Sequence, residues 1–203
     1  MRTKIFIDFW NLQLNWNQLV GKTADNQPIR IPWEPTLPQV LCDAVSDKLN
    51  EKATYAGVHV YASVAPDGDS GLRRFLHAMK SFRGYTVLVK ERKARSQGIH
   101  CQSCKKTIEI CPHCDNRLRG TVEKGIDAAI ITDMIQMAYD DIYDVAVLAT
   151  HDADMCAAVE FIQQRTKKQV FNLCFPRMGT QLRNVCWDHL KMTELMSALG
   201  VES

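Results

Sequence analysis

The sequence predicts an α/β fold: three layers in a Rossmann-like arrangement, with a mostly parallel five-stranded sheet and a small four-cysteine zinc-knuckle insert. Three observations carry this. Short apolar runs alternate with amphipathic stretches of helical spacing along nearly all of the 203 residues, and such alternation implies parallel strands joined by right-handed crossovers. Val145–Ala149 is apolar at every position, the habit of a strand covered on both faces. Between the third strand and the fourth stand four cysteines in two CxxC pairs among a surplus of basic residues.

The elements follow in order. Residues 4–7 are a strand that Asp8 closes, and residues 9–19, rich in Trp, Asn and Gln, are a loop or short helix. Residues 21–38 hold Pro28, Pro32, Pro35 and Pro38 and read as an extended connection. With Thr36 as cap and Pro38 in the first turn, a helix runs through Leu41, Val45 and Leu49. Strand 58–64, a turn over 65–71, a helix over 72–82 and strand 85–90 come next. Leu72, Phe75, Leu76 and Met79 share one face of that helix. Residues 92–122 form the insert. A helix over 125–139, strand Val145–Ala149, a helix over 155–165, strand Gln169–Cys174 and a last helix over 181–199 complete one domain spanning 1–203.

A chain of this length buries roughly 70 % of its unfolded surface, and its 46 % apolar and 24 % charged residues are ordinary for a globular protein. The formal charge of +2 is unevenly spread. Residues 90–125 hold nine basic against four acidic side chains, a surplus of five, which leaves the rest of the chain at −3. An acidic body with a basic appendage points to a polyanionic partner, although a single basic run is more often only a solvated face. No apolar run approaches membrane-spanning length, and the N-terminal stretch, interrupted by Asp8, has neither signal-peptide nor anchor character. A cytoplasmic protein is expected, so its eight cysteines suit metal binding or buried thiols better than disulfides.

In a doubly wound sheet of order 3-2-1-4-5, strands one and four are neighbours at the switch point, where ligands gather at the carboxyl edge. Asp8 and Asp152 then face each other, with Asp127 in the first turn of the preceding helix and Asp154 two residues further on. Each alone has an ordinary reading as a turn residue, a dipole partner or a helix cap. Together they are like charges that raise one another's pKa. A divalent cation relieves the repulsion, and carboxylate oxygens with water suit Mg²⁺ or Mn²⁺, ions that activate water and neutralise a phosphodiester.

The insert reads Cys101-x2-Cys104-x6-Cys111-x2-Cys114, the spacing of four thiolates around a tetrahedral, structural Zn²⁺. So small and polar a segment folds on metal energy rather than on a core. Lys105, Lys106, Arg117 and Arg119 would then grip a nucleic-acid backbone, or the insert would contact a protein. Cys42, Cys156, Cys174 and Cys186 lie in apolar stretches and read as buried thiols. Trp10 and Trp16 are candidates for stacking bases; Trp33 and Trp187 read as packing residues.

Three motifs carry a family resemblance: IDFWN at 7–11, EKGIDAAIITDM at 123–134 and YDVAVLATHDADM at 143–155. Over nearly the whole chain they resemble the NYN domains of the LabA-like group, relatives of the PIN-domain nucleases. Asp8 and Asn11 match the first family motif. Lys124, Gly125 and Asp127, with Asp133 in mid-helix, match the second, and Thr150, Asp152 and Asp154 the third. The resemblance implies a PIN-like fold and an Mg²⁺- or Mn²⁺-dependent ribonuclease. Asp8, Asp127 and Asp152 would be metal ligands and Asp154 a ligand or a supporting acid. Asn11 would hold water or a phosphate oxygen, while Thr150 and Lys124 would bind phosphate or orient a carboxylate. His151, where relatives carry a smaller residue, reads as an exposed turn residue or a substrate contact. Asp133 lies about 240° around the helix from Asp127 at ~100° per residue, so it supports the site or a neighbouring helix.

The expected function is therefore metal-dependent endoribonuclease, with RNA as partner and a second copy or another protein as a possible partner through the insert. The alternative is a non-catalytic RNA-binding scaffold. A haloacid-dehalogenase-type phosphatase also ends its first strand in Asp, but requires a second Asp where Trp10 stands.

Overall fold

The computed structural model describes residues 1–22, 25–66, 70–96 and 98–201, without the side chains of 94–96 and 119. The turn expected over 65–71 falls partly outside these residues, and so does the side chain of Arg119.

The chain runs β1 (Arg2–Asp8), α1 (Phe9–Val20), α2 (Thr36–Leu49), β2 (Thr54–Val64), α3 (Ser70–Met79) and β3 (Tyr85–Glu91). Four short strands follow: β4 (Lys93–Ser96), β5 (Ile99–His100), β6 (Thr107–Ile108) and β7 (Arg119–Val122). Then come α4 (Ile126–Tyr139), β8 (Val145–Ala149), a 3-10 turn (Ala153–Met155), α5 (Cys156–Thr166), β9 (Gln169–Cys174), α6 (Thr180–Val185), β10 (Asp188–Lys191) and α7 (Met192–Leu195).

The central sheet has six strands in the order β3-β2-β1-β8-β9-β10, paired in parallel throughout. Successive side chains point to opposite faces, and both faces are covered. Ile5, Ile7, Val145 and Val147 pack with Leu12, Trp16, Leu41 and Val45 of α1 and α2. Phe6, Ala146 and Leu148 pack on the other side with Ile130 and Met134 of α4 and Val159 and Ile162 of α5. No helix among the described residues is long and apolar enough to cross a membrane.

Two expectations need correction. The five expected strands stand in the expected order, but β10 adds a sixth at the edge, because the stretch expected as one helix over 181–199 is broken. Cys186 is extended (φ −69°, ψ 156°) and ends α6, the Trp187 N–H reaches Val170 O at 2.8 Å, and Leu190 pairs with Leu173 in register. Only Leu190 of this strand is fully buried; Asp188 pairs with Lys48 at 3.1 Å. An edge strand with one buried side chain has the polarity of a helix face, which hid it. Trp187 is accordingly 59 % exposed rather than packed.

Of the loop and the short helix expected over residues 9–19, the helix is what forms, over Phe9–Val20, and the correction falls on Trp16. Asp8 caps it by accepting the Asn11 N–H at 3.2 Å, and Leu12 and Trp16, one turn apart, bury into the core. The Trp16 indole donates to Ile29 O at 2.8 Å, so it is a packing residue and not a base platform.

Candidate active site

All carboxyl ends of the sheet lie on one edge, and β1 and β8 are neighbours whose chains depart to opposite faces, α1 to one and α5 to the other. Side chains that end these strands therefore meet in a crevice. Asp8, the last residue of β1, is only 8 % exposed. Burial pushes its carboxyl up to about 6; the Asn11 N–H opposes this, while Glu123 and Asp127 add to it. Asp127, in the first turn of α4, is also raised, first by burial and then by Asp152, Glu123 and Asp154. Asp127 is thus the common member: it feels Asp152 and Asp154 on one side and is felt by Asp8 on the other.

Beyond β8, Thr150 is 1 % exposed and its Oγ1 accepts the Asp152 N–H at 3.3 Å. Asp152 in turn accepts the Asp154 N–H at 2.9 Å. Of the two roles considered for Thr150, this burial favours orienting Asp152 over touching a phosphate. Asp154 and Lys124 are exposed. Asp133 faces away, accepting the Tyr61 hydroxyl at 2.7 Å.

His151 is not an exposed turn residue. Its Nδ1 lies 2.6 Å from Asn11 Oδ1, and its Nε2 accepts the Phe175 N–H at 3.2 Å. Asn15, buried in α1, sends its Nδ2 to Asn11 O at 2.7 Å and to Asn11 Oδ1 at 3.2 Å. Asn11 is therefore held from two sides. Sequence alone offers no sign that Asn15 belongs to this group, because Asn at mid-helix is polar without a periodic pattern.

Glu123 also belongs here. It accepts the Ser63 hydroxyl and lies 3.9 Å from the Arg92 guanidinium, whose Nε reaches Ser63 Oγ at 2.8 Å. Arg92 covers the Trp10 ring at 5.0 Å, and the Trp10 indole donates to Ser63 O at 2.7 Å. Trp10 is thus engaged from both its face and its edge. These residues bind the neck of residues 92–122 to the rim of the acidic site.

Beyond that neck, β4 and β7 pair as an antiparallel stem and β5 and β6 as a second hairpin. The two CxxC pairs fold alike. The Lys105 N–H bonds Cys101 O at 2.9 Å and the Cys101 N–H bonds Lys106 O at 2.9 Å; further on, the Asp115 N–H bonds Cys111 O at 3.0 Å and the Cys111 N–H bonds Asn116 O at 2.8 Å. Lys105 and Asp115 both take positive φ, 59° and 53°. The Cys104 N–H, the Cys104 thiol and the Ser103 N–H hold the Cys101 thiol below its ordinary range. The His113 and Cys114 N–H groups and the Cys114 thiol do the same for Cys111. Such donors favour the thiolate that metals bind. The sulfurs meet within each pair and not between pairs: among the described residues no three Cys, His, Asp or Glu side chains are grouped closely enough to hold one ion. The same holds at the acids, which are coupled through space without enclosing a ligand sphere. In both places the donor type fits: oxygens for a hard divalent cation, thiols for zinc. Lys105, Lys106 and Arg117 are exposed, and Arg117 lies 3.8 Å from Glu109. Cys42 and Cys174 are buried thiols, while Cys156 and Cys186 are partly exposed.

A family model described as the NYN domain matches residues 2–193. Among solved structures, a protein of unknown function from Vibrio parahaemolyticus RIMD 2210633 is similar in fold, with a TM-score of 0.56 at 18 % identity over 93 % of this chain and 91 % of its own. Comparison with curated proteins returned no match.

Proposed function

We propose that this chain, which belongs to the NYN domain family, is a ribonuclease that hydrolyses RNA phosphodiester bonds with Mg²⁺ or Mn²⁺ at the carboxyl edge of its sheet. The observation that carries the reading is the coupling of Asp8, Glu123, Asp127, Asp152 and Asp154 at the switch point, where Asp8 and Asp127 are both raised by burial and by the neighbouring carboxylates. Kinship of NYN domains with PIN-like nucleases supports it.

Asp8, Asp127 and Asp152 would hold the cation, with Asp154 as a further ligand or a support. A divalent ion bound there lowers the pKa of water and offsets charge on the scissile phosphate. The chain's own residues do the rest. Thr150 fixes the backbone of Asp152. His151, whose Nε2 accepts a backbone N–H, carries its proton on Nδ1 and donates it to Asn11 Oδ1. With that oxygen occupied, the Asn11 amide nitrogen is the group offered to a phosphate oxygen or water. Lys124, at the start of α4, supplies positive charge against the phosphate.

The four insert cysteines are proposed to bind one structural Zn²⁺, for which each knuckle supplies two sulfurs and backbone donors. That arrangement displays Lys105, Lys106 and Arg117 to RNA or to a protein partner, and a reducing, cytosolic setting keeps the thiols available.

Purified protein is expected to cut single-stranded RNA in Mn²⁺ or Mg²⁺. Asp8→Asn and Asp152→Asn should each lower the cleavage rate by about 100-fold or more, since a ligand to such an ion supports several kcal/mol of the barrier reduction and each ~1.36 kcal/mol is tenfold. Circular dichroism should be unchanged. Variants that cut as fast as the parent would remove these acids from the mechanism, and binding of RNA without any cutting would favour the scaffold reading.

A further inference from the structure

On the β9 side of the acids the sheet edge opens into a cleft of about 550 Å³, between Asn15, Gln18 and Leu19 of α1 and residues 175–178 after β9. Its volume lies within the range of small-molecule sites. Its walls are apolar, from Leu19, Phe175 and Met178, and its polar groups are the two amides and Arg177.

The cleft is joined to the acids by side chains rather than by mere proximity. Asn15 lines it and also holds Asn11 at 2.7 Å; Asn11 meets His151 at 2.6 Å; His151 precedes Asp152. The far wall is seated on the same histidine, which accepts the Phe175 N–H and packs its ring against Phe175 at 5.5 Å between centroids. Gly179 takes φ +62°, and a Cβ there would come within 2.9 Å of the His151 ring. Residues 175–179 are thus pressed onto His151.

A second hollow, of about 160 Å³, shares Phe175 and Pro176 with the first and is otherwise lined by Cys174, Arg183, Lys191 and Thr193. Lys191 is shared with Glu194 at 2.8 Å. No acidic side chain lines either hollow among the described residues. A polyanion entering the carboxylate-rich crevice would find repulsion there and compensating cations here.

We propose that single-stranded RNA passes from the acids over His151 into these two hollows. One nucleobase sits in the larger, between Leu19 and Met178 with the Asn15 and Gln18 amides at its edge and its own phosphate against Arg177, and the adjoining phosphate sits on Arg183, Lys191 and Thr193. The proposal rests on the ribonuclease reading and names its substrate track. A base must be unstacked to enter, so duplex RNA is excluded.

Binding is measured by fluorescence anisotropy in chelator-free buffer without added Mg²⁺ or Mn²⁺, so that cutting is not supported while the insert keeps its metal, with fluorescein-labelled ten-nucleotide U, A and C RNAs and a ten-base-pair RNA duplex. The single strands should bind and the duplex should not. Arg177→Ala with Arg183→Gln should weaken binding by about 10-fold or more and reduce the salt slope by roughly one for each phosphate no longer held. Gln18→Ala should change the ranking of the three homopolymers without changing that slope. Unchanged binding by the double variant, with its melting curve intact, overturns the track. So does failure of the parent to bind any single strand, or weakening confined to Lys105→Ala with Lys106→Ala in the insert. The two readings fail separately: a protein that binds through Arg177 and Arg183 but never cuts keeps the track and loses the nuclease, and one that cuts unchanged in the double variant does the reverse.

Discussion

The sheet and the insert of this chain are ordered by different physics. In β8 every residue is at most 2 % exposed, and apolar burial at about 25 cal/mol per Å² is the dominant favourable term for such a strand. In the insert the large apolar side chains face solvent: Ile99 is 61 % exposed, Ile108 47 % and Ile110 54 %. What shapes the insert is local, two matched knuckles of backbone hydrogen bonds around cysteines. One chain can therefore carry two kinds of candidate metal centre. The acids are assembled by topology from residues 8, 123, 127, 152 and 154, whereas the cysteines are paired by turns within a few residues of one another.

The largest effect is expected at the cysteines. Cys101→Ser with Cys111→Ser should abolish zinc binding, measured as metal per chain by elemental analysis. Hydrogen exchange should show loss of protection over residues 98–118 while the body keeps its protection. Structural zinc contributes on the order of 10–16 kcal/mol in small finger peptides, so the local effect should be complete. Retained protection in the metal-free variant would show that the knuckles stand without ligation.

A smaller and opposite contrast comes from apolar truncation. Leu148→Ala, in the covered strand, should cost about 2–5 kcal/mol in urea unfolding. Ile108→Ala should lower stability by no more than about 0.5 kcal/mol. Equal costs would mean that the insert buries more than its exposure indicates.

An electrostatic contrast lies at the sheet's amino edge. Asp144 takes a bidentate grip on Arg2, with Nη2 at 2.7 Å and Nε at 3.2 Å, and the pairing holds its carboxyl well below the usual carboxylate range. Its folded pKa is lowered, so its stabilisation is present above the unfolded value, near about pH 4, and is lost as pH falls towards the folded one. With both side chains about a third or more exposed, Asp144→Asn should cost at most about 1 kcal/mol at about pH 7. The parent and the variant should converge in stability at acid pH, and a difference that grew there would contradict the assignment.

Periodicity sufficed where burial is periodic. VAVLA fits a strand covered on both faces, and the strand order placed Asp8 near residues 127 and 152. It failed where polarity is shared between states. The edge strand Asp188–Lys191 has one core side chain, so it reads as a helix, and Asn15, His151 and Glu123 became part of the site only through partners 4, 140 and 60 residues distant. The local sequence around each is compatible with a plain solvent-facing residue.

The chain's own order of residues determined the parallel α/β architecture, the carboxylates at strand and helix ends, and the two CxxC turns, because each follows from spacing within a few residues. Only the tertiary structure decided which carboxylates feel one another, that His151 is locked between Asn11 and Phe175, and that Arg177 and Arg183 border hollows beside them. Those relations depend on the packing of elements far apart in sequence, and no local pattern specifies the distance between two such side chains.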